Sequence, residues 1–551
     1  MSSSNAVVAG SRRTAMSGAR ATGACDADTT LEVTLKVRRK AALPLLSGRP
    51  AKAITRAELA AQYGASDEDL NTVVKTFAGF GLKAVDTSAA THSVRLSGTV
   101  KQMEQAFQVK LFDYSFAPGS DEVPYRGRVG NIHVPAEVKD IVTGVFGLDN
   151  RRVARRRRKH PSSEAGSSHA AAAIQNAPYI PSELATHYHF PSGDGSGQTV
   201  AVFEFAGGYF PNDLKAFCHK AGVAMPTVQA ISVDGTSTSQ HDGTEGETML
   251  DVEVLAGICP KAKIVAYFAT FSEQGWIAAL DALMQDHAND PGVVSISWGS
   301  PEDDGQTWTA QAIEHINESF QEAAMLGITI CIAAGDDGSS DAVKDGHAHA
   351  DFPSSSPFVL TVGGTTIPVK GGTGPDIVWF EGTGVRDQNF KDGSTGGGVS
   401  ELFPRPTWQN GINIKSVNPG MFVGRIYPDL AANADWFASP YLLIVDGKSQ
   451  PNGGTSAASP LVASLITLIN ASRGPGHRLG YVTPVLYQTI GTGASAATVG
   501  SLGCTDVVKG NNKTAQAGGY SAGPGYDAVS GWGTPNGVKL AAALAEALPV
   551  T

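Results

Sequence analysis

One serine lies in a setting that suits a nucleophile. Ser456 belongs to the stretch GGTSAASP (453–460), and an apolar run follows it. Glycines and small residues leave its hydroxyl unhindered at the start of a predicted helix, Ala457–Ser472, where backbone dipoles favour developing negative charge. Thr455 or Ser456 could instead cap that helix, but a cap needs neither the glycines nor the small residues. A serine hydroxyl also needs a base.

Two carboxylates are the candidates for that base. Glu247 and Asp251 lie four residues apart on a predicted helix, Glu245–Ile258, and both extend its apolar face. An acidic first turn that complements the helix dipole would explain Glu245 but not Asp251. Two adjacent carboxylates share a proton at acidic pH, and one of them can then accept the serine proton. A histidine would already be protonated there, so the pattern favours an enzyme that works in acid.

Two other acidic segments could take part. Asp336 follows the predicted strand Ile328–Ala333 and, when protonated, could donate a hydrogen bond to an oxyanion. By itself it is better explained as an Asp-Gly turn. The segments DVVKGNN (506–512) and AGPGYD (522–527) combine two carboxylates with glycine-rich loops, as calcium sites do, although a cluster of turns would look the same.

Two kinds of secondary-structure pattern surround these residues. From Thr29 to about residue 148 the order is βαββαβ, typical of an α+β ferredoxin-like unit, with Val109–Tyr114 as its last strand. Beyond it, short apolar strands alternate with amphipathic helices, which predicts an α/β, doubly wound parallel sheet with a ligand crevice at the carboxyl ends of its strands. The predicted strands are Thr199–Phe205, Lys263–Phe268, Val293–Trp298, Ile328–Ala333, Phe358–Val362 and Tyr441–Val445, and the helices between them are Asp213–Ala221, Glu245–Ile258, Gly275–His287 and Ala310–Leu326.

The chain therefore divides into four parts. We predict a disordered N-terminus (1–28), a small domain (29–150), an exposed and cleavable linker (151–178) and a large domain (179–551). The net charge is +9 over residues 1–170 and −19 over residues 171–551, so the front part should attract the rest. The run RRRRK (155–159) could bind nucleic acid, but its Ser/Ala/Gly surroundings favour a solvated linker.

Composition excludes several other classes. The 551 residues are 42% hydrophobic and 17% charged, as in globular proteins of two or three domains. Five scattered cysteines without a CxxC pair predict neither a disulfide framework nor a cysteine zinc site. The sequence contains no run of 18 apolar residues, so it predicts no membrane span. Its first 40 residues contain no apolar segment of the kind found in an ordinary secretory signal.

Together these motifs resemble the sedolisin family of serine-carboxyl peptidases, close to its kumamolisin-like members. The resemblance covers Ala171–Leu548, and the front domain is similar to that family's activation prosegment. The matching stretches are VAVFEFAGGY (201–210), ETMLDVEV (247–254), VSISWG (294–299), AAGDDGSSD (333–341), HADFPSSSP (349–357), GGTSAASP (453–460) and AGPGYDAVSGWGTP (522–535).

The resemblance implies a subtilisin-like fold and a secreted, acid-active endopeptidase that forms an acyl-enzyme on Ser456. Glu247 would be the base, Asp251 would orient Glu247, and Asp336 would stand in the oxyanion hole. It further implies that Glu204 and Trp298 support the carboxylates, and that one structural Ca2+ is held by Asp506, Val507, Gly523, Gly525 and Asp527. We expect a monomer that acts on proteins and peptides, is inhibited by its own prodomain, and has no nucleic-acid or membrane partner.

Three alternatives remain at this point. A tripeptidyl-peptidase of the same family would carry the same motifs. A catalytically dead binding module would lack at least one of the four catalytic residues, all of which are present. A neutral subtilisin-type protease would need a histidine, for which His241 is the nearest candidate. In the preferred hypothesis, protonation of carboxylates both weakens the attraction of the prodomain and arms Asp336.

Overall fold

The large domain is built on one sheet of parallel strands. The computed structural model describes residues 5–118, 122–153, 155–156, 177–372, 374–386 and 392–550. Across the sheet the parallel strands run in the order Val228–Ser232, Lys263–Phe268, Thr199–Glu204, Val293–Ile296, Thr329–Ala333, Leu360–Thr366 and Leu430–Asn433, and Ile377–Val378 adds antiparallel to the end of Leu360–Thr366.

Helices cover both faces of this sheet, which is why its central strands are almost wholly apolar. Val200 and Val202 face one core cluster, whereas Ala201 and Phe203 face the other. The first cluster includes the helices Pro211–Ala221, Glu245–Ile258, Thr455–Arg473 and Gly537–Ala547, and the second includes Glu273–Gln285 and Ala310–Met325. The large domain thus has the predicted α/β architecture of a subtilisin-like fold.

The remaining elements of the large domain are short. Its other helices are Pro181–His187, Thr483–Leu486 and Val499–Gly503. Its other strands are Trp298–Pro301, Asp351–Phe352, Phe380–Glu381, Gly393–Ser394, Gly398–Pro404, Gly424–Tyr427, Tyr441–Val445, Lys448–Asn452, Thr489–Ile490, Ala497–Thr498, Cys504–Thr505 and Thr534–Pro535. In the described part of the chain, only the helix Thr455–Arg473 is long and apolar enough to cross a membrane, and 89% of that window is buried inside the protein.

Most predicted elements lie within a few residues of their observed positions, and one strand is misplaced. Tyr441–Val445 pairs with Lys448–Asn452 in a separate hairpin and does not join the main sheet. The turn Asp446-Gly447, with both residues at positive φ, brings the chain straight back on itself. The sheet strands Val228–Ser232 and Leu430–Asn433 were not predicted.

The small domain contains an antiparallel sheet of the predicted ferredoxin-like order. Its strands lie as Lys83–Ser88, Ser93–Thr99, Thr30–Val37 and Val142–Phe146, and its helices are Arg56–Tyr63, Asp67–Ala78 and Val100–Phe107. The prediction of Val109–Tyr114 as the last strand is wrong. Phe112–Ser115 lies instead in another sheet, between Arg20–Ala24 and Tyr125–Gly127. Both stretches carry apolar residues, and only long-range pairing decides between them.

The prediction of a disordered N-terminus is wrong for residues 5–28. Ala6–Val7 pairs with His133–Val134, and Arg20–Ala24 is a strand. Arg13 is buried against the large domain, where it donates to the carbonyls of Gln306 and Thr307 and lies 2.9 Å from Glu273 Oε1. The order comes from these distant partners, which the local composition does not reveal.

The two domains meet through ion pairs that match the charge asymmetry of the sequence. Lys36 Nζ lies 2.7 Å from Asp281 Oδ1, and Arg39 pairs with Glu318 at 3.3 Å and with Glu322. Arg56 pairs with Asp290. In each pair the cation comes from the small domain and the carboxylate from the large one.

The linker begins later than predicted. Arg151 is buried and paired with Asp149 at 2.8 Å, and Val153 is fully buried in the second core cluster of the large domain, so the chain is still packed at these two residues. Residues 154 and 157–176, which make up most of the predicted linker, lie outside the described residues. The backbone of Arg155–Arg156 forms a short strand antiparallel to Trp298–Gly299.

Candidate active site

Two glycines allow the chain to place Ser456 at the first turn of a buried helix. A side chain at Gly453 would meet the Ala434 carbonyl oxygen at 2.6 Å, and Gly454 has φ +88°. The helix Thr455–Arg473 starts directly after them. Ser456 is fully buried, and its Oγ lies 3.5 Å from the carbonyl oxygen of Ser297.

Pro460 has a specific role in this turn. A proline has no N–H, so it cannot donate to the carbonyl four residues earlier, which is that of Ser456. Ser297 Oγ lies 3.3 Å from that oxygen. The same hydroxyl lies 2.9 and 3.1 Å from the two carboxyl oxygens of Asp251. Ser297 therefore links the Ser456 helix to the carboxylate helix.

The carboxylate helix, Glu245–Ile258, is buried along its whole length. It packs against the Ser456 helix with Asp251 fully buried and Glu247 5% exposed. Burial, followed by the charge of Glu247, raises the pKa of Asp251 well above its usual range, and the Ser297 hydrogen bond partly opposes this. A protonated Asp251 at acidic pH follows directly from this environment.

Glu204 and Trp298 extend the cluster. Glu204 ends the central strand Thr199–Glu204 and is fully buried, and Thr248 Oγ1 donates to its Oε2 at 3.2 Å. Burial raises the pKa of Glu204 well above normal, and the charges of Asp251 and Glu247 act in the same direction. The Thr248 hydroxyl and the neighbouring Trp298 side chain lower that pKa and so only partly offset the shift. The sheet, the carboxylate helix and the Ser456 helix thus bring three acids and one serine into one buried region.

Asp336 lies on the other side of the Ser456 turn. Its Oδ1 accepts hydrogen bonds from the Thr455 backbone N–H at 2.8 Å and from Thr455 Oγ1 at 2.7 Å. Its Oδ2 lies 3.6 Å from Arg386 Nη1, and Arg386 also binds the neighbouring Asp337. Asp336 is therefore fixed next to the Ser456 turn rather than in an isolated turn.

The predicted calcium ligands are also brought together. Gly525 N–H donates to Asp506 Oδ2 at 2.7 Å, and Gly523 N–H donates to Asp527 Oδ2 at 3.0 Å. Asp506 Oδ1 is buried without a hydrogen-bond partner in the described structure, and Val507 is fully buried. A buried, unsatisfied carboxylate oxygen beside glycine loops fits a hard cation such as Ca2+.

This loop region supports the Asp336 segment. Ser339, three residues after Asp336, donates from its N–H to the Asn512 carbonyl at 2.9 Å and from its Oγ to the Gly518 carbonyl at 2.6 Å. Order in residues 506–527 is thereby coupled to the position of Asp336.

No histidine hydrogen-bonds to Ser456 in the described part of the chain. The candidate His241 stacks on Phe210 with ring centroids 4.0 Å apart, and its Nδ1 faces Asp446 at 3.6 Å and Glu245 at 4.0 Å. The His241 side chain is 61% exposed. The geometry gives no support to a neutral protease based on His241.

Sequence reasoning missed Ser297, Thr455 and Arg386. Ser297 lies in the stretch VSISWG, directly before Trp298, at the carboxyl end of a sheet strand where ligands gather, and that position was the available signal. Thr455 sits beside the serine, but nothing local shows that it binds Asp336. Arg386 comes from a loop 50 residues after Asp336, and no sequence pattern connects the two.

Comparisons with known proteins agree with this geometry. Residues 17–151 match the Pro-kumamolisin activation domain family, and residues 231–503 match the Subtilase family. Kumamolisin of Bacillus sp. (strain MN-32) is 40% identical over 503 residues, which are 89% of this chain and 86% of that protein. Tripeptidyl-peptidase 1 of Mus musculus is 32% identical over 379 residues, covering 65% of this chain and 62% of that protein.

A solved structure shows the same fold. Pseudomonas sedolisin, a serine-carboxyl proteinase complexed with two molecules of pseudo-iodotyrostatin, superimposes with a TM-score of 0.55 at 28% identity, covering 66% of this chain and 97% of that one. With the buried serine, the carboxylates around it and the front domain in place, the chain belongs to the sedolisin family of serine-carboxyl peptidases and is a kumamolisin-like member made with an activation domain.

Proposed function

We propose that this serine peptidase is an acid-active endopeptidase in which carboxyl groups replace the usual histidine. Ser456 is the nucleophile, Glu247 its general base, and Asp251 holds Glu247 in position. Glu204, supported by Trp298, lies close to Asp251 and Glu247, so the three buried carboxyl groups share protons. Asp336 donates to the oxyanion. The observation that carries the proposal is the buried Glu204–Asp251 pair, joined through Ser297 to the Ser456 turn and held with raised pKa values.

Ser456, Glu247 and Asp336 can hydrolyse a peptide bond with water as the only other reactant. Ser456 Oγ attacks the peptide carbonyl carbon while its proton passes to Glu247. The carbonyl oxygen becomes an oxyanion, which the protonated Asp336 stabilises. The C–N bond then breaks, Glu247 returns the proton to the leaving amine, and an acyl-enzyme remains on Ser456. Water, deprotonated by Glu247, hydrolyses the ester and restores the serine.

A casein assay over acidic and neutral pH tests this mechanism. Glu247→Gln removes the base, and we expect kcat to fall by about 10²–10⁴-fold. Glu253→Gln is the matched control, because Glu253 is buried in the same helix, burial raises its pKa well above normal, and it accepts from the Ile444 N–H instead of facing the serine. Full activity of Glu247→Gln in acid would refute the assignment.

We further propose that the prodomain inhibits the enzyme and is removed by self-processing within residues 157–176. The backbone pairing of Arg155–Arg156 with Trp298–Gly299 supports this, since it adds a strand of the small domain's chain directly beside Trp298, next to the buried acids. A Ser456→Ala chain held in acid should remain intact between residues 149 and 180. Its cleavage in the absence of another protease would contradict the proposal.

Internal cleavage is preferred over removal of tripeptides because the greater identity, over most of the chain, is to kumamolisin. Digestion of an N-terminally blocked protein decides between the two, since an exopeptidase needs a free amino terminus. Endopeptidase activity predicts internal fragments, whereas an unchanged substrate would favour the tripeptidyl-peptidase.

We propose one structural Ca2+ held by the carboxylates of Asp506 and Asp527 and by the carbonyls of Val507, Gly523 and Gly525. Such an ion would neutralise the two acids and fix the loops that support Asp336. We also propose that the enzyme acts outside the cell, because a site that needs protonated carboxyl groups requires an acidic medium. Measuring activity in the culture fluid and in washed cells tests this location.

A further inference from the structure

A second cluster of ligand-type side chains lies at the start of the carboxylate helix, outside the catalytic residues. His241 precedes the helix, Glu245 is its first residue, and Asp446 lies in the hairpin turn after Tyr441–Val445. His241 Nδ1 is 4.0 Å from Glu245 Oε1 and 3.6 Å from Asp446 Oδ1. One ligand atom from each of the three lies within 4.8 Å of the others.

Glu245 provides a second, independent observation. Its side chain is only 9% exposed, and its Oε2 is buried without a hydrogen-bond partner in the described structure. Buried carboxylate oxygens are normally satisfied, because burying one without a partner costs the free energy of its hydration. The other oxygen of this carboxylate faces His241. We infer that His241, Glu245 and Asp446 form a binding site for a divalent transition-metal ion of the Zn2+ type.

The donor set selects the class of ion. One imidazole nitrogen with carboxylate oxygens suits Zn2+ and its neighbours, whereas Ca2+ and Mg2+ prefer sites made only of oxygen. Tetrahedral zinc, with bonds of about 2.0–2.1 Å, places its ligand atoms roughly 3.3 Å apart. His241 Nδ1 lies 3.6 Å from Asp446 Oδ1 and 4.0 Å from Glu245 Oε1, which is close to that value, and no two of the three ligand atoms are more than 4.8 Å apart.

The surroundings make this small closure feasible. The Phe210 ring lies against the imidazole, with centroids 4.0 Å apart, and restricts its position. Asp446 is held by its backbone N–H, which donates to Asp213 Oδ2 at 2.9 Å, while its side chain is 54% exposed. The exposed Asp446 side chain can thus move towards His241, which Phe210 holds in place, and towards Glu245, which is fixed in the helix.

A bound ion would join two parts of the catalytic framework. Glu245 lies two residues before Glu247, and the hairpin that contains Asp446 continues through Lys448–Asn452 into the glycines before Ser456. The ion would therefore tie the start of the base's helix to the hairpin that leads to the nucleophile. Its expected effect is to stabilise the folded protein.

Cobalt titration of the full-length Ser456→Ala chain tests this site. Co2+ replaces Zn2+ and reports its coordination by visible absorption, and millimolar Ca2+ keeps the proposed calcium loops filled. At neutral pH we expect one equivalent of Co2+ to bind with an absorption typical of imidazole and carboxylate ligands. His241→Ala and Asp446→Asn should each abolish that band, whereas His477→Ala, at an exposed histidine elsewhere, should retain it.

Thermal unfolding gives a second readout that needs no absorption band. Zn2+ should raise the Tm of the Ser456→Ala chain, and the rise should disappear in the His241→Ala background. Unchanged Co2+ stoichiometry and affinity in His241→Ala would overturn the proposal. So would the lack of saturable binding at millimolar Co2+ in the parent chain.

Discussion

Two histidines face each other where the small domain meets the large one, and they predict that acid weakens the contact between the two domains. His92 and His315 are 2% and 5% exposed, with ring centroids 6.2 Å apart. Burial lowers the pKa of His315 to about 3 and that of His92 well below normal, and Lys36 and Arg39 act in the same direction. The charged groups packed around the pair are Lys36, Arg39, Asp281, Glu318 and Glu322.

The carboxylates of this contact do not behave as the sequence suggested. Burial raises the pKa of Asp281 and of Glu322, although Lys36 and Arg39 oppose the shift. A group with a raised pKa in the closed form binds protons more tightly there, so its protonation favours closure. The expectation that carboxylate protonation loosens the prodomain therefore does not hold for these two acids. The histidines provide the opposite dependence.

The magnitude follows from linkage. When the small domain leaves, His315 returns to water, where an imidazole has a pKa of about 6.5. The contact is then strongest above about pH 6.5 and weakens as pH falls towards about 3, the pKa of His315 in the closed form. At about pH 4.5, two units below 6.5, this one histidine shifts the closed-to-open ratio by about 100-fold, or about 2.7 kcal/mol.

The test replaces His315 by glutamine, which remains polar but cannot be charged. Self-processing of the full-length His315→Gln chain at about pH 4.5 should be up to about 100-fold slower than that of the parent, as followed by gel electrophoresis. The activity of the mature enzyme should keep its pH profile, because His315 lies on the helix Ala310–Met325, away from the serine. His477→Gln serves as the control. Equal processing rates at this pH, or an equal slowing at neutral pH, would refute the reasoning.

Three further substitutions test the site. Ser297→Ala removes a hydrogen bond that lowers the pKa of Asp251, so kcat should fall about 10-fold and the alkaline limb of its pH profile, where Asp251 loses its proton, should move to higher pH. Gly454→Ala puts a Cβ 2.7 Å from Asp336 Oδ2 at a φ of +88°. We expect kcat to decrease and the free energy of unfolding to fall by about 1–3 kcal/mol, and unchanged values of both would contradict this. Asp506→Asn should lower Tm, and added Ca2+ should raise the Tm of the parent chain but not that of this variant. A parent chain whose Tm does not change with Ca2+ would disprove the calcium site.

The elements that carry the catalytic residues were predictable because their signals are local. Glu245–Ile258 is a continuous apolar helix interrupted only by acids and small residues, and the structure gives it the predicted bounds. The strand Lys263–Phe268 is a short apolar run with the predicted bounds as well. The positions of Ser456 and Asp336 followed from small-residue turns after or before such elements.

What could not be predicted depends on contacts between distant segments. Arg13 is ordered by Glu273 and by two carbonyls of the large domain, although its own surroundings look disordered. The last strand of the small domain is chosen by pairing with Thr30–Val37, which two apolar segments could satisfy. Ser297 was missed because a serine at the end of a strand matches no sequence pattern. Its role becomes visible only in the structure, where Pro460 cannot donate to the Ser456 carbonyl and the Ser297 hydroxyl lies beside that oxygen.

Two regions of the chain respond to acid, and in both of them protonation favours the state that the proposed activity requires, although the chemistry differs. In the site, Asp251 and Glu204 are too buried to be ionised together, so protons stabilise the arrangement that the mechanism needs. At the domain contact, His92 and His315 are too buried to be charged, so protonation of these two histidines destabilises the closed form. Under the proposed function, a fall in pH would therefore weaken the domain contact through these histidines and prepare the carboxylates of the site, and neither event requires the other. Uncoupling them by His315→Gln should delay processing without changing how the mature site responds to acid.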